Sequence, residues 1–172
     1  MDDSAKEALT QVKLAFAAET GPASYRCEEF GYFYESEGKE IAKALLDLDP
    51  IDVQAEDLTL HSDFLPIWAS DAGLRWLIPG IIRAAFEDDN GEWILGDLYG
   101  ELERRTSDDG MKLTEEQRQS IMQAHEAFYG TEEYNWNVAA HDAPFITRLR
   151  ATDREPTSGQ QGAEVKRGPR RQ

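Results

Sequence analysis

One segment near the middle of the chain constrains the fold more than any other. It runs from Trp68 to Phe86 and combines a helix-start signal with a wide apolar face. Ser70 is a favourable N-cap residue, and Asp71 places a negative charge in the first turn, where it stabilises the helix dipole. The apolar residues recur at helical spacing; they are Leu74, Leu77, Ile78, Ile81, Ile82 and Ala85. The pattern predicts a central helix, and Pro79, which lacks an N–H group, predicts a kink in it.

Four further segments carry helical periodicity. Two of them open on a capping box, in which the first and fourth side chains bond each other's backbone N–H groups. These boxes are Ser4 to Glu7 and Thr114 to Gln117, and the helices are expected to end at Gly21-Pro22 and at Gly130. The other two helices are expected over about 37–47 and 92–105. The sequence therefore predicts a mainly α, single-domain bundle of about five helices.

The remaining segments are irregular or polar. Residues 28–34 are rich in aromatic side chains and contain a glycine, which fits a short strand or an aromatic-packed loop. Residues 51–66 are expected to form a connection across the core. Five residues after Gly130 are expected to pack back onto it: Tyr134, Trp136, Val138, Phe145 and Ile146. We expect residues 1–150 to form one acidic helical domain. Pro, Gly, Gln and charged residues dominate 151–172, which predicts a disordered basic tail.

The charge of the chain is large and unevenly distributed. The formal net charge is −16; residues 151–172 hold five basic and three acidic side chains, so residues 1–150 carry −18. Residues 28–63 contain eleven carboxylates and two lysines, a net charge of −9. Such a field repels phosphates, which argues against nucleic-acid binding by the acidic body. The same field attracts a basic protein and speeds the encounter.

Cysteine content and apolar runs indicate the compartment. Cys27 is the sole cysteine, so no intramolecular disulfide is possible, and the chain suits a reducing environment. The N-terminal residues are acidic and lack the apolar run of a signal peptide. No apolar stretch approaches the roughly 20 residues that cross a bilayer. We therefore expect a cytoplasmic protein without a membrane partner.

No arrangement of residues indicates a catalytic or metal site. His61, His125 and His141 are far apart and lack zinc-ligand spacing. His125 lies on the apolar stripe of its helix, which predicts a packed core histidine. The acidic run 47–52 lacks the central glycine and closing glutamate of a calcium loop, and no phosphate-binding glycine loop is present. The sequence favours a protein without catalytic activity, cofactor or metal.

A binding surface is the alternative that the residue pattern favours. Aromatic side chains supply binding hot spots, and carboxylates beside them complement a basic partner. The candidate binding residues lie within the acidic segment 28–63; they are Glu28, Glu29, Phe30, Tyr32, Tyr34, Glu35, Glu37, Asp47, Asp49, Asp52, Glu56 and Asp57.

Three classes of function remain open. The first is an acidic binding protein, in its sharpest form an immunity- or antitoxin-like inhibitor that covers the basic active site of a toxin or nuclease. The second is a small hydrolase or metal-dependent enzyme of unknown substrate. The third is an adaptor or structural subunit whose basic tail contacts nucleic acid or an acidic surface. A tight, salt-sensitive complex with a basic protein would favour the inhibitor, and a metal, cofactor or substrate in the purified protein would favour the enzyme.

The central helix resembles that of an uncharacterised bacterial family, a domain of unknown function whose helix typically reads Phe-Leu-Thr-Pro-Glu-Ala-Phe-Arg-Tyr-Tyr-Leu-Pro. The residues that carry the similarity are Ser70, Gly73, Leu74, Arg75, Trp76, Ile78 and Pro79. The chain departs from the pattern at Trp68, Ala69 and Asp71. Weaker similarities at 12–16 and 113–118 extend the resemblance over about 12–130. It implies a small helical cytoplasmic protein and transfers no catalytic residue.

Overall fold

A computed structural model describes residues 1–19, 40, 41, 43–45, 47–60, 63–106, 110–130 and 143–152. This part of the chain is mainly α-helical, as predicted. Its helices are α1 (Asp3–Ala15), α2 (Asp71–Glu87), α3 (Gly91–Thr106), α4 (Glu115–Tyr129) and α5 (Ala143–Thr152). Residues 40, 41, 43–45 and 47 are also helical, within the predicted range 37–47.

Helix α2 forms the centre of the fold. Ser70 caps it as predicted, because the Ser70 Oγ accepts a hydrogen bond of 3.1 Å from the Gly73 N–H. The predicted apolar face is confirmed: its six residues, Leu74, Leu77, Ile78, Ile81, Ile82 and Ala85, are each 0% exposed. Pro79 lies inside the helix without ending it, and the kink stays a prediction. Helices α1 and α3 pack against α2, and α4 packs against α1.

Helix α1 begins earlier than the sequence predicted. Asp2 is its N-cap, and the Asp2 Oδ1 accepts a hydrogen bond of 2.8 Å from the Ala5 N–H. The assignment of Ser4 as N-cap is therefore wrong. Aspartate is an equally strong capping residue, and a helix that is capped by Asp2 includes Asp3 and Ser4 in its first turn. The helix ends at Ala15, so the prediction that it continues to Gly21-Pro22 is wrong.

Helix α4 begins and ends where the sequence predicted. The Thr114 Oγ1 accepts from the Gln117 N–H at 3.1 Å, while the Gln117 Oε1 accepts from the Thr114 N–H at 3.0 Å. This reciprocal pair is the predicted capping box. The helix ends at Gly130, whose φ of +81° is accessible to glycine at little cost.

The connection between the helical residues 40–47 and α2 contains the described strands. A 3-10 helix, Ala55–Leu58, leads into β1 (Thr59–Leu60), which pairs antiparallel with β2 (Asp63–Phe64). A second 3-10 helix, Leu65–Trp68, precedes α2. The connection crosses the core as predicted, with buried side chains at Leu58, Phe64 and Leu65. The strand predicted at 28–34 lies outside the described residues.

Helix α5 was not predicted as a helix, although its residues were expected to pack onto the body. That packing is confirmed for Phe145 and Ile146, which are buried, and the Phe145 ring stacks on Tyr99 at a centroid distance of 6.0 Å. The other three residues expected to pack, Tyr134, Trp136 and Val138, lie outside the described residues. The helix packs on α3 and α4 and ends at Thr152, two residues beyond the predicted domain boundary. The remaining tail, 153–172, lies outside the described residues.

Candidate functional site

Residues 47–57, here called the acidic loop, begin at the helical residue Asp47 and then turn sharply. The Asp49 carbonyl accepts hydrogen bonds from the N–H groups of Asp52 at 3.0 Å and Val53 at 2.8 Å. The Asp49 Oδ1 also accepts from the Ile51 N–H at 2.8 Å. Leu48 and Val53 are buried on either side of the turn. Ile51 lies at its tip and is 72% exposed, the largest exposed fraction among the large apolar side chains that the structure describes.

The acidic loop is anchored to the middle of α2. Gly80 permits the close approach, because a Cβ at that position would lie 2.6 Å from the Pro50 carbonyl oxygen and from the Val53 Cγ1. Three residues further along the helix, the Arg83 Nη2 donates a hydrogen bond of 2.6 Å to the Val53 carbonyl. The loop is therefore held by main-chain contacts on both sides of Ile51.

Five of the predicted binding residues lie in the acidic loop, and all five are exposed: Asp47, Asp49, Asp52, Glu56 and Asp57. Three of them also have local contacts. Asp49 stabilises the turn, the Asp57 Oδ2 accepts from the Gln54 N–H at 2.9 Å, and the Asp47 Oδ2 lies 3.9 Å from the Lys43 Nζ. The same loop also carries an exposed apolar residue, Ile51, for which the sequence predicted no role.

The other predicted binding residues lie outside the described part of the chain, so the structure does not place them. They are Glu28, Glu29, Phe30, Tyr32, Tyr34, Glu35 and Glu37. The proposed combination of the aromatic segment with the acidic loop therefore stays a prediction.

A cleft of about 500 Å³, here called the Trp76 cleft, opens between α1, α2 and the acidic loop. Its apolar lining includes Leu9, Phe16, Pro50, Ile51, Trp76 and Pro79, and its charged lining consists of Lys13, Glu19, Asp49 and Arg83. No local sequence pattern predicted this cleft, because its walls come from three separate parts of the chain. The helical spacing of Trp76, Pro79 and Arg83 on one face of α2 is the signal that was present.

Two of the four charged side chains of the Trp76 cleft, Glu19 and Arg83, are paired with residues outside its lining. The Glu19 Oε2 lies 3.3 Å from the Arg75 Nε, and the Glu19 Oε1 accepts from the Gln117 Nε2 at 2.9 Å. The Arg83 Nη1 donates to the Glu87 Oε2 at 2.6 Å. Both Glu19 and Arg83 are thus paired, which leaves the cleft with an apolar character inside a charged rim.

A second charged cluster is structural, because it ties α3 to the start of α2. The Glu101 and Arg105 side chains are only 6% and 8% exposed and form an ion pair. Arg105 also donates to the Asp71 Oδ1 at 3.0 Å and to the Ile67 carbonyl at 2.8 Å. Burial raises the pKa of Glu101, but hydrogen bonds from Arg104 and Arg105 outweigh it and hold that pKa below its ordinary value.

The histidines and the metal-ligating residues give no second site in the described ranges. His125 is buried between the rings of Tyr99 and Tyr129, at centroid distances of 5.6 and 4.9 Å, which confirms the predicted core histidine. His61, His141 and Cys27 lie outside the described residues. Among the residues that the structure does describe, no three His, Cys, Asp or Glu side chains are grouped to hold a metal ion. Within the same ranges no helix is long and apolar enough to span a bilayer.

No protein-family model, curated protein or solved structure matches this chain. The resemblance of α2 to the uncharacterised bacterial family stays a prediction. Function is accordingly inferred from the geometry and charge of the site, since a helical fold alone does not specify an activity.

Proposed function

We propose that the chain is an acidic binding protein and that the acidic loop binds a basic protein partner. The observation that supports this most is an exposed isoleucine, Ile51, on a turn that is fixed by hydrogen bonds in a loop with five exposed carboxylates. Interfaces commonly combine an apolar centre with a charged rim. Because the loop is already ordered by Asp49, Gly80 and Arg83, binding would lose little conformational entropy.

The charge of this region supports a basic partner. Residues 40–60 contain six carboxylates and one lysine, a net charge of −5, within a chain of net charge −16. Such a surface accelerates association with a positively charged protein, and added salt weakens the attraction.

In its sharper form, the proposal is an immunity- or antitoxin-like inhibitor of a basic toxin or nuclease. A nuclease active site is built to attract phosphates, and a rigid loop of carboxylates offers similar charge to it. The hydrolase and adaptor alternatives stay predictions, because no contact among the described residues favours either. A cytoplasmic location fits this role and is part of the same proposal.

The test compares two full-length variants that change the net charge equally. The Asp52→Lys/Glu56→Lys variant reverses exposed charges in the acidic loop, and the Glu7→Lys/Asp89→Lys variant reverses exposed charges elsewhere. Each variant and the unmodified chain are used for affinity capture from a lysate of the source organism. Bound proteins are eluted with a salt gradient and identified by mass spectrometry.

We expect one stoichiometric basic protein to be captured by the unmodified chain and by the Glu7→Lys/Asp89→Lys control, and to be released at moderate salt. The loop variant should capture at least tenfold less of it. Equal capture by the loop variant, or no specific partner at low salt, would contradict the proposal.

A further inference from the structure

The acidic loop and the Trp76 cleft form one continuous surface. Asp49, Pro50 and Ile51 belong to the loop and also line the cleft. A partner that covers the exposed Ile51 side chain therefore lies over the mouth of the cleft. The binding surface proposed above thus contains a concave part as well as an exposed tip.

The interior and the rim of this surface suit different chemical groups. Inside the cleft, the two positive side chains, Lys13 and Arg83, are matched in number by the two negative ones, Glu19 and Asp49, so the lining has no net formal charge. The apolar lining around Trp76, which is half-buried, favours an uncharged apolar group. On the rim, by contrast, Asp52, Glu56 and Asp57 favour lysine or arginine.

The size of the cleft agrees with this division. Its volume of about 500 Å³ lies within the range of roughly 300–1,000 Å³ that is typical of small-molecule pockets. It has room for one bulky side chain without separation of α1 from α2. A buried aromatic or aliphatic anchor in such a pocket is the usual form of an interface hot spot.

We propose that the Trp76 cleft receives one bulky apolar side chain from the partner, carried on a basic segment whose lysine or arginine residues contact the acidic loop. The inference rests on the proposed function, because it specifies which chemical groups the partner places on the same surface. Charge provides the attraction at the rim, and the apolar anchor provides the discrimination between basic partners.

The test uses two synthetic peptides that differ at one position, acetyl-Lys-Lys-Phe-Lys-Lys-amide and acetyl-Lys-Lys-Ala-Lys-Lys-amide. Each is titrated at low salt into the ¹⁵N-labelled full chain, and binding is followed by NMR. The indole N–H of Trp76 and the amide of Ile51 report on the cleft and the loop. We expect the phenylalanine peptide to bind about tenfold more tightly, because the cleft removes its ring from water, and to shift the Trp76 indole signal.

Matched variants locate the anchor. Trp76→Ala should remove the advantage of the phenylalanine peptide, whereas Trp93→Ala, at a more exposed tryptophan on α3, should keep it. Because Trp76 packs against the core, a second variant, Thr10→Trp, blocks the cleft from an exposed position on α1 and should have the same effect. An unchanged tenfold preference in Thr10→Trp would overturn the inference.

The outcomes separate the inference from the proposed function. If both peptides bind equally to the unmodified chain and both are lost in Asp52→Lys/Glu56→Lys, the acidic loop binds cations and the anchor is refuted. If the affinity for the phenylalanine peptide is unchanged in that variant, the cleft is an apolar site and the electrostatic part of the proposed function is wrong. If neither peptide binds at low salt, both proposals are contradicted.

Discussion

Replacing Glu101 by glutamine tests whether the buried ion pair with Arg105 stabilises the fold. The Glu101→Gln change keeps the shape of the side chain and removes its charge. Arg105, which is 8% exposed, then keeps its bonds to Asp71 and to the Ile67 carbonyl but loses its buried carboxylate. Removing one member of a buried ion pair costs about 3–5 kcal/mol, because the other charge remains buried.

We expect the lower end of that range, about 3 kcal/mol, because two acceptors remain for Arg105. For a chain of this length, each kcal/mol lowers Tm by about 2–4 °C, so Tm should fall by roughly 6–12 °C. Urea denaturation followed by circular dichroism measures the free energy of unfolding, and a thermal scan measures Tm. The Asp47→Asn variant is the control, since it also removes one carboxylate from an i,i+4 pair, but an exposed one. It should change stability by at most about 0.5 kcal/mol.

The lowered pKa of Glu101 predicts that the loss of stability in Glu101→Gln depends on pH. The pKa of Glu101 is lower in the folded chain than in the unfolded chain, so its ionised form contributes stability above the unfolded pKa of about 4.3. That contribution is lost as the pH falls through the lower, folded pKa. The difference between the unmodified chain and Glu101→Gln should therefore be full at pH 7 and shrink in acid. A Glu101→Gln effect no larger than that of Asp47→Asn, or one independent of pH, would refute the reasoning.

Three further substitutions test local geometry. Gly80→Ala places a Cβ 2.6 Å from the Pro50 carbonyl oxygen; it should destabilise the chain by about 1–3 kcal/mol and shift the amide signal of Ile51 in NMR spectra. Ser70→Ala removes the cap of α2 and should cost about 1 kcal/mol in urea denaturation; an unchanged midpoint would show that the cap is unimportant. Gly130→Ala forces a φ of +81° on alanine and should cost about 1–3 kcal/mol of stability, even though open space surrounds the position. No loss of stability would contradict the assigned backbone conformation.

The elements that were predictable depend on local signals. Ser70 and Thr114 each accept a hydrogen bond from the backbone N–H three residues later, so a short window of sequence is enough to predict where the helix begins. Helix α5 was missed because it has only ten residues, and its burial depends on a ring contact between Phe145 and Tyr99, which are 46 positions apart. Strands of two residues, such as Thr59–Leu60, are too short to show an alternating pattern.

The candidate site also has features that were predictable from the sequence and features that were not. Exposure of the five carboxylates in the acidic loop was predictable from composition, since ionised side chains seldom lie fully buried without a partner. The exposure of Ile51 was not predictable, because it depends on the burial of Leu48 and Val53 on either side of a tight turn. The anchoring by Gly80 and Arg83 was also not predictable, since it joins residues about 30 positions apart.

One feature of α2 connects its stability to the site. Pro79 removes the backbone bond to the Arg75 carbonyl, and glycine at position 80 is the weakest ordinary helix former; together they cost a helix about 4 kcal/mol. The helix persists because its opposite face buries six apolar residues completely. The two residues that weaken the helix lie where the acidic loop and the cleft meet it. Pro79 lines the cleft, and Gly80 allows the close approach of Pro50 and Val53. A helix with alanine at both positions would be intrinsically stronger, but the Cβ at position 80 would press against Pro50 and Val53 in the loop that presents Ile51.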